Sequence, residues 1–527
     1  MLTVVAFIAA ALLYRLAEQQ RSGPSHEDLS VGDGIPVTFY VPTEANDVTE
    51  IFPDPPPVGQ RFPTVILAHG FSADRAVMSS LARSLAVAGY AVLAFDFRGH
   101  GTNRNGFRSG ELGADLDQVI GWASRSPYID VQRIALMGHS MGGTVALNFA
   151  AGDRRPAAVI VLSSAQRLAD GVDIGSEFVD GPRRPPNVLF LWTAGDPSFI
   201  GAESRHLASR LVAQPVEVGR TYGDFATSTA VRAQELVRLN HGTVLWSDQT
   251  VAAAVDWLDQ SFGVARPTPS RMVDPRLATA ELYLGCVLVL TVGLGFVAAK
   301  ASESSVPFDA VAGWHGLGFI ALSLLVAGAF SGPVSAAGFL SLSVFDSIVA
   351  FWGVAGAVLL TCVSLARRRR GSGFRLLPAS WRGVRDALVI PAAVVVVGVY
   401  VLLVPLGVVA HNLVPTPRRL ADTLVCFSIL APFFVCFQLL ARQGRPATAA
   451  LRSLAGDLVL LAGVVVVSDF GGLPGVVDLL IPIFVIVFVI VELAAASFHR
   501  EGGGGAAIGL IEAALLAWIV SVMGPVG

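Results

Sequence analysis

The sequence predicts two architectures in one chain. The first is an α/β domain, a mostly parallel sheet with helices on both faces; the second is an all-α domain that crosses a membrane several times. Three observations carry this. Of 527 residues, 53% are hydrophobic and 15% charged, with a mean hydropathy of +0.62, whereas a soluble globular chain carries about 25% charged residues. Up to about residue 265, apolar runs of strand length alternate with helical patterns and Gly/Pro turns, the signature of βαβ units. Beyond that point the apolar runs reach the ~20 residues that a bilayer-spanning helix needs. The expected boundaries are an N-terminal apolar segment at 1–17, the α/β domain at 18–264, a Pro- and Arg-rich linker at 265–276, and the helical domain at 277–527.

Eight spans are expected in the helical domain: 277–299, 311–330, 345–366, 387–410, 421–440, 457–470, 475–496 and 506–523. The run at 457–470 is short, so the count is good to one. Leu2 to Leu13 is also short and has no basic flank ahead of it. It reads as an anchor, with a signal-like segment as the alternative. Orientation follows the basic residues of the loops. Arg367 to Arg370, Arg375, Arg382, Arg385, Arg442, Arg445 and Arg452 fall on one side of an eight-span topology, with Lys300 and Arg500. The other side holds Arg418 and Arg419. This majority makes the arginine-rich side cytoplasmic and the α/β domain extracytoplasmic at a cell membrane, although Arg266, Arg271 and Arg276 oppose it, as do Arg15 and Arg21.

The formal net charge of −3 offers no basic face for nucleic acid. The four cysteines, Cys286, Cys362, Cys426 and Cys436, all lie in apolar runs without metal-ligand spacing to a histidine, and read as small buried hydrophobes.

The α/β part carries an ordered set of motifs. Pro63 to Ala68 is a buried-strand run ending in His69-Gly70-Phe71. Tyr90 to Asp96 is a second strand, followed by the turn Phe97-Arg98-Gly99-His100-Gly101. Arg133 to Met137 is a third, running into Gly138-His139-Ser140-Met141-Gly142-Gly143 and then a helix through Val145, Ala146 and Phe149. A strand that turns sharply into a helix at a serine places the hydroxyl at a helix N-terminus, where free N–H groups favour negative charge. Glycines two positions either side make room for the turn.

This G-x-S-x-G turn resembles the nucleophile elbow of the α/β-hydrolase superfamily. The resemblance covers roughly residues 35–262 and is closest to the esterase, lipase and peptidase-like branches. It implies a serine hydrolase with Ser140 as nucleophile and, in chain order, an acid and then a histidine. Val188 to Trp192 is a buried strand followed by Asp196, which matches the acid position; Asp173, Asp180 and Asp224 are alternatives. His241 lies in a loop before the last helix of the domain, the family's place for the base, while His206 falls in a helical pattern. The implied oxyanion donors are the backbone N–H groups of Met141 and Phe71. His69 and His100 read as turn-shaping residues. No cofactor and no metal are implied. About 20 residues separate the strand ending near Ser164 from that starting near Asn187, room for only a small lid, which suits an extended or membrane-presented acyl substrate.

The expected function is therefore membrane-bound hydrolysis of an ester, thioester or amide of a small-molecule, lipid or peptide substrate. The alternatives are acyl transfer by the same three residues, or a transporter or receptor with a hydrolase-like binding domain. Ionisable residues fall in or near the spans at Glu281, Asp346, Asp469, Asp478, Glu492, Glu512, His315 and His411. Intramembrane charges are costly and often functional. Glu492 is the first of these to test, because it follows the unbroken apolar run Ile483 to Val491.

Overall fold

The computed structural model describes residues 6, 9–10, 12–13, 24–42, 61–165, 184–266, 270–272, 274, 276–301, 314–335, 342, 345–369, 381–408, 411–442, 451–458, 460–462, 481–500 and 504–527. Two compact units emerge. One comprises residues 16–280 with 407–412 and 527; the other comprises 1–15, 281–406 and 413–526.

The α/β unit is built on nine strands: β1 (His26–Val31), β2 (Ile35–Tyr40), β3 (Phe62–Ala68), β4 (Ala91–Phe95), β5 (Ile129–His139), β6 (Ala158–Leu162), β7 (Val188–Gly195), β8 (Thr221–Tyr222) and β9 (Val231–Asn240). Their order in the sheet is β1-β2-β4-β3-β5-β6-β7-β9-β8. The strands from β4 to β9 in that order are parallel, and antiparallel β1, β2 and β8 close the two edges. Among the described residues four helices lie between the strands, α1 (Ser79–Val87), α2 (Leu112–Arg125), α3 (Met141–Gly152) and α4 (Ser198–Val212), and α5 (Asp248–Phe262) follows β9.

Alternation along the strands splits the core in two. Ile66 and Ala68 of β3 pack with α2, α3 and α4, whereas Val65 and Leu67 pack with α1 and α5 on the other face. A strand covered on both faces has no solvent side. Hence β3, β4 and β6 read as continuous apolar runs rather than as alternating patterns.

The order of strands locates the site. The chain leaves β3 for its neighbour β4 and then crosses to β5 on β3's other side. In open α/β sheets, ligands bind beyond the carboxyl ends of strands at such a reversal. His69-Gly70 follows β3 and Ser140 follows β5, so both motifs arrive at that crevice.

The join to the helical region is not loose where it is described. The Asp274 carboxylate takes a bond of 2.5 Å from Arg276 Nη2 and one of 2.8 Å from Ser80 Oγ on α1. The amide of Met272 donates to Asp248 Oδ1 at 2.7 Å. Arg266 Nε donates to Asp259 Oδ2 at 2.7 Å. The α/β unit thus extends to about residue 280, beyond the boundary at 264 expected from composition. The Pro/Arg content suggested a free linker; pairing of those charges with the domain changes its character.

In the helical unit the elements are α6 (Arg276–Ala301, which begins in the α/β unit), α7 (Trp314–Ser335), α8 (Phe345–Arg369), α9 (Ile390–Leu403), α10 (Pro417–Ala441), α11 (Ile481–Arg500) and α12 (Gly505–Met523). Each matches an expected span. The eighth, 457–470, falls mostly outside the described residues. Among the described residues five helices are long and apolar enough to cross a membrane, at Arg276–Ala299, Phe345–Ala366, Ile390–Gly407, Pro417–Ala441 and Gly505–Met523; Gly318–Phe330 and Phe484–Ala495 are shorter apolar stretches. The segment 1–17 and the region of the small lid lie almost wholly outside the described residues.

The close packing around the turn at Ser140 yields a prediction. A Cβ on Gly142 would sit 2.2 Å from the carbonyl oxygen of Ala68, and one on Gly138 would sit 2.1 Å from that of Gly142. Backbone cannot yield as a side chain can. Gly142→Ala is expected to destabilise the domain by about 3 kcal/mol or more, the upper end of overpacking costs. Gly152→Ala, with open space around its Cβ, should be neutral or slightly stabilising. Thermal denaturation of the two variants checks the contrast.

Candidate active site

Ser140 has φ 52° and ψ −122°, a conformation that costs a non-glycine residue on the order of 1–3 kcal/mol. The surroundings over-determine it. Its amide donates to Leu162 O at 2.9 Å, its carbonyl accepts from the amide of Gly143 at 2.9 Å, and Ser164 Oγ donates to the same carbonyl at 2.7 Å. Only glycine fits at 138 and 142, for the reasons given above. The side chain at 140 therefore stands at the start of α3, with the residue 94% withdrawn from solvent (6% exposed).

Asp196 and His241 arrive from two neighbouring parallel strands. Asp196 follows the end of β7, and His241 follows the end of β9. The imidazole Nδ1–H donates to Asp196 Oδ1 at 2.7 Å. The other carboxylate oxygen accepts from the amide of Thr193 at 2.8 Å and from Ser163 Oγ at 2.8 Å. Burial alone pushes the Asp196 carboxyl up. The bond and charge of His241, with the Thr193 amide and the Ser163 hydroxyl, outweigh it and hold the group below the usual carboxylate range. Asp196 is thus a fixed anion that commits Nδ1 as donor and leaves the Nε2 lone pair of His241 for a second partner.

The elbow and the Asp–His pair meet through His139. Its Nε2–H donates to the backbone carbonyl of His241 at 2.8 Å, and the two imidazole rings lie 4.8 Å apart between centroids. The residue next to Ser140 in the chain thereby anchors the loop that carries His241. Burial, followed by the neighbouring His241, pushes His139 down to about 3, so it is neutral at ordinary pH. Its Nδ1 is buried without a partner.

Gly70 lies against the elbow: a Cβ there would be 3.0 Å from His139 Nδ1 and 3.2 Å from Ser140 Cβ. Phe71 follows directly. Its ring packs edge-on to His100 and Phe107, at 5.7 and 5.8 Å between centroids. Met141 is the first residue of α3, so its amide has no acceptor within that helix. The structure thus brings Ser140, Met141, Gly70-Phe71, Asp196 and His241 to one end of the sheet.

The remaining candidates fall elsewhere. His206 is exposed on α4. Asp224 is exposed in the turn after β8, where Oδ1 accepts from the Ala226 amide at 2.9 Å. Asp173 and Asp180 lie outside the described residues. His69 donates through Nδ1 to Gly70 O at 2.7 Å and accepts from the Phe97 amide at Nε2, 3.0 Å. Both its nitrogens are engaged, and it ties the two glycine-rich turns together. Sequence reasoning overlooked His139, Ser163 and Thr193. A pair of serines closing an apolar strand was the only trace of Ser163. Nothing marked Thr193, which acts through its amide.

A sequence model of the serine aminopeptidase S33 family matches residues 59–197, which take in the strand ending in His-Gly, the elbow and Asp196. The first domain has the α/β-hydrolase fold. An uncharacterised protein of Mycobacterium tuberculosis is 31% identical over 176 residues, 32% of this chain and 61% of that protein. A polyketide transferase of a Penicillium species is 31% identical over 112 residues, 20% of this chain and 38% of that protein. The chain therefore spans less than two thirds of the length of either. Among solved structures, a dienelactone hydrolase of Anabaena variabilis superposes with a TM-score of 0.30 at 17% identity, covering 46% of this chain and all of that one (100%).

A pH dependence follows from His139 in the hydrolase domain. Its folded value is depressed, so between about 3 and the unfolded value of about 6.5 the unfolded chain binds a proton that the native state refuses. Stability is therefore lost as pH falls below about 6.5, by about 2 kcal/mol from this group between pH 7 and pH 5. His139→Gln removes the titration. Denaturant unfolding at the two pH values should show a smaller acid loss in the variant by about that amount.

Proposed function

We propose that the chain is a membrane-anchored serine hydrolase that cleaves an ester, thioester or amide through an acyl-enzyme. Ser140 Oγ attacks the acyl carbonyl while its proton passes to Nε2 of His241. Asp196 holds the imidazole in the productive tautomer and stabilises the imidazolium that forms. The amides of Met141 and Phe71 donate to the tetrahedral oxyanion. The protonated His241 then delivers its proton to the leaving alcohol, thiol or amine. Water, deprotonated by the same imidazole, releases the acid and restores Ser140.

One observation supports this reading above the rest: a strained serine at a helix N-terminus follows His139, whose ring bonds to the backbone of a histidine that is itself bonded to a buried carboxylate at 2.7 Å. A passive Gly-rich turn has no use for that strain. The family match over residues 59–197, which takes in Ser140 and Asp196 and stops short of His241, supports the same chemistry. Five apolar helices long enough to span a bilayer support the membrane anchoring. The arginine-rich loops favour an extracytoplasmic hydrolase domain at the cell membrane, acting on an acyl-bearing small molecule, lipid or peptide. A second reading, transfer of the acyl group to an alcohol or amine in place of water, is favoured by the similarity to a protein named a polyketide transferase.

The test is covalent labelling of the full chain by a fluorophosphonate probe. Wild type is expected to label; Ser140→Ala should not label, and His241→Ala should label at least about a thousandfold more slowly. Equal labelling of all three removes the proposal. With an ester substrate, Asp196→Asn should lower kcat by about 10³–10⁴-fold with little change in KM, since the tautomer is lost and the binding surface is kept. Product analysis with an added alcohol or amine separates transfer from hydrolysis. Digestion of the hydrolase domain by protease added to intact cells checks its side of the membrane.

A further inference from the structure

The interior of the helical unit holds more negative charge than its bonded partners balance. Glu492, the carboxylate that the sequence singles out, is paired with Arg442 and accepts from Ser453 Oγ at 2.7 Å. Arg442, with its side chain 1% exposed, also donates from Nε to Gln438 Oε1 at 2.7 Å. The amide nitrogen of Gln438 in turn donates to Glu512 Oε2 at 2.7 Å. The one guanidinium is thereby spent on Glu492 and on orienting Gln438.

Two carboxyl groups remain. Glu512 is fully buried at 0% exposure, and its Oε1 has no partner. Asp457 is 2% exposed, and neither of its oxygens has a partner. Asp457 sits one turn beyond Ser453, on the same face of its helix, and lies within electrostatic range of Arg442, Glu492 and Glu512. The charged groups around the pair are therefore Arg442 from the end of α10, Glu492 from α11 and the two carboxyls themselves. Among the described residues three acids face one base. An ionised carboxylate withdrawn from water is strongly unfavourable unless a positive charge joins it.

We propose that Asp457 and the free oxygen of Glu512 share an exchangeable monovalent cation inside the helical unit, either a proton or an alkali-metal ion, while a proton on one of the two carboxyls removes the second charge. Gln438 is the built part of the site. By holding Oε2 of Glu512, and by being held itself through Arg442, it fixes which oxygen of Glu512 is presented. Ionisable groups buried within helical membrane domains mark ion or proton paths. This inference stands on the helical unit alone and does not rest on the hydrolase reading.

The experiment is residue-resolved labelling of the full chain in detergent micelles with dicyclohexylcarbodiimide, which modifies protonated carboxyls in apolar surroundings. A proton as occupant is expected to give an adduct on Asp457 or Glu512 that falls several-fold as pH rises from 6 to 9, equally in sodium, potassium or choline chloride. An alkali-metal occupant is expected to give an adduct in choline chloride that sodium or potassium suppresses several-fold at constant pH. Adducts at rates independent of both pH and cation, or none at either residue under any condition, overturn the proposal. Asp457→Asn should abolish the cation dependence that remains at Glu512 and leave the size-exclusion profile of the chain in detergent unchanged, which shows that the variant is folded. A thermal midpoint that responds to pH and cation identically in wild type and in the Asp457→Asn, Glu512→Gln double variant overturns it as well.

Discussion

The backbone at Ser140 is the constraint on which the rest of the first domain turns. A left-handed residue between a buried strand and a buried helix is tenable only if the chain passes within touching distance of itself at 138, 142 and 70. That requires glycine at 138 and 142 and leaves little room at 70, and it is held by a hydrogen bond from the Ser140 amide to β6 and by the Ser164 hydroxyl beneath the elbow. The strain is stored by packing of the whole central sheet, not by any local bond. The same packing aligns the ends of β5, β7 and β9, and so delivers the Ser140 hydroxyl, the Asp196 carboxylate and the His241 imidazole to one rim.

His139 extends that constraint outward. Because it belongs to the elbow and bonds to the carbonyl of His241, the loop carrying the base is referenced to the loop carrying the nucleophile. Two elements about a hundred residues apart in the chain then move as one. The arrangement needs a neutral donor at 139, and burial supplies it by holding the imidazole unprotonated. Positional accuracy is thus obtained at the expense of acid tolerance.

Much of this was legible in the sequence, and the legible parts share a cause. Buried parallel strands must be apolar throughout, and a tight strand-to-helix turn must be glycine-rich, so both leave compositional marks. Asp196 and His241 were found by order and position, and their mutual bond is what those positions entail. Ser163, Thr193 and His139 were not found. They act by where the sheet places them, and a serine, a backbone amide and a variable position in a motif carry no pattern of their own. The composition of the join at 265–276 marked a linker but not its contacts: Asp274, Asp259 and Asp248 engage the described part of the segment through bonds that prolines and arginines do not announce. In the helical unit, Glu492 stood out against its apolar run, yet its partner Arg442 lay in what looked like a loop of orienting charges.

The sheet order also sets a schedule for synthesis. The strand that leads to His241 inserts beside β7 only after about 240 residues have been made, and α5 seals that face at Phe262. A nascent chain therefore holds a complete elbow with no base beside it for the time needed to translate the next hundred residues. The ribosome is already building the first long apolar helix, from Arg276, when the last side chain of the rim finds its place. Completion of the rim and synthesis of that apolar helix consequently fall within the same stretch of elongation.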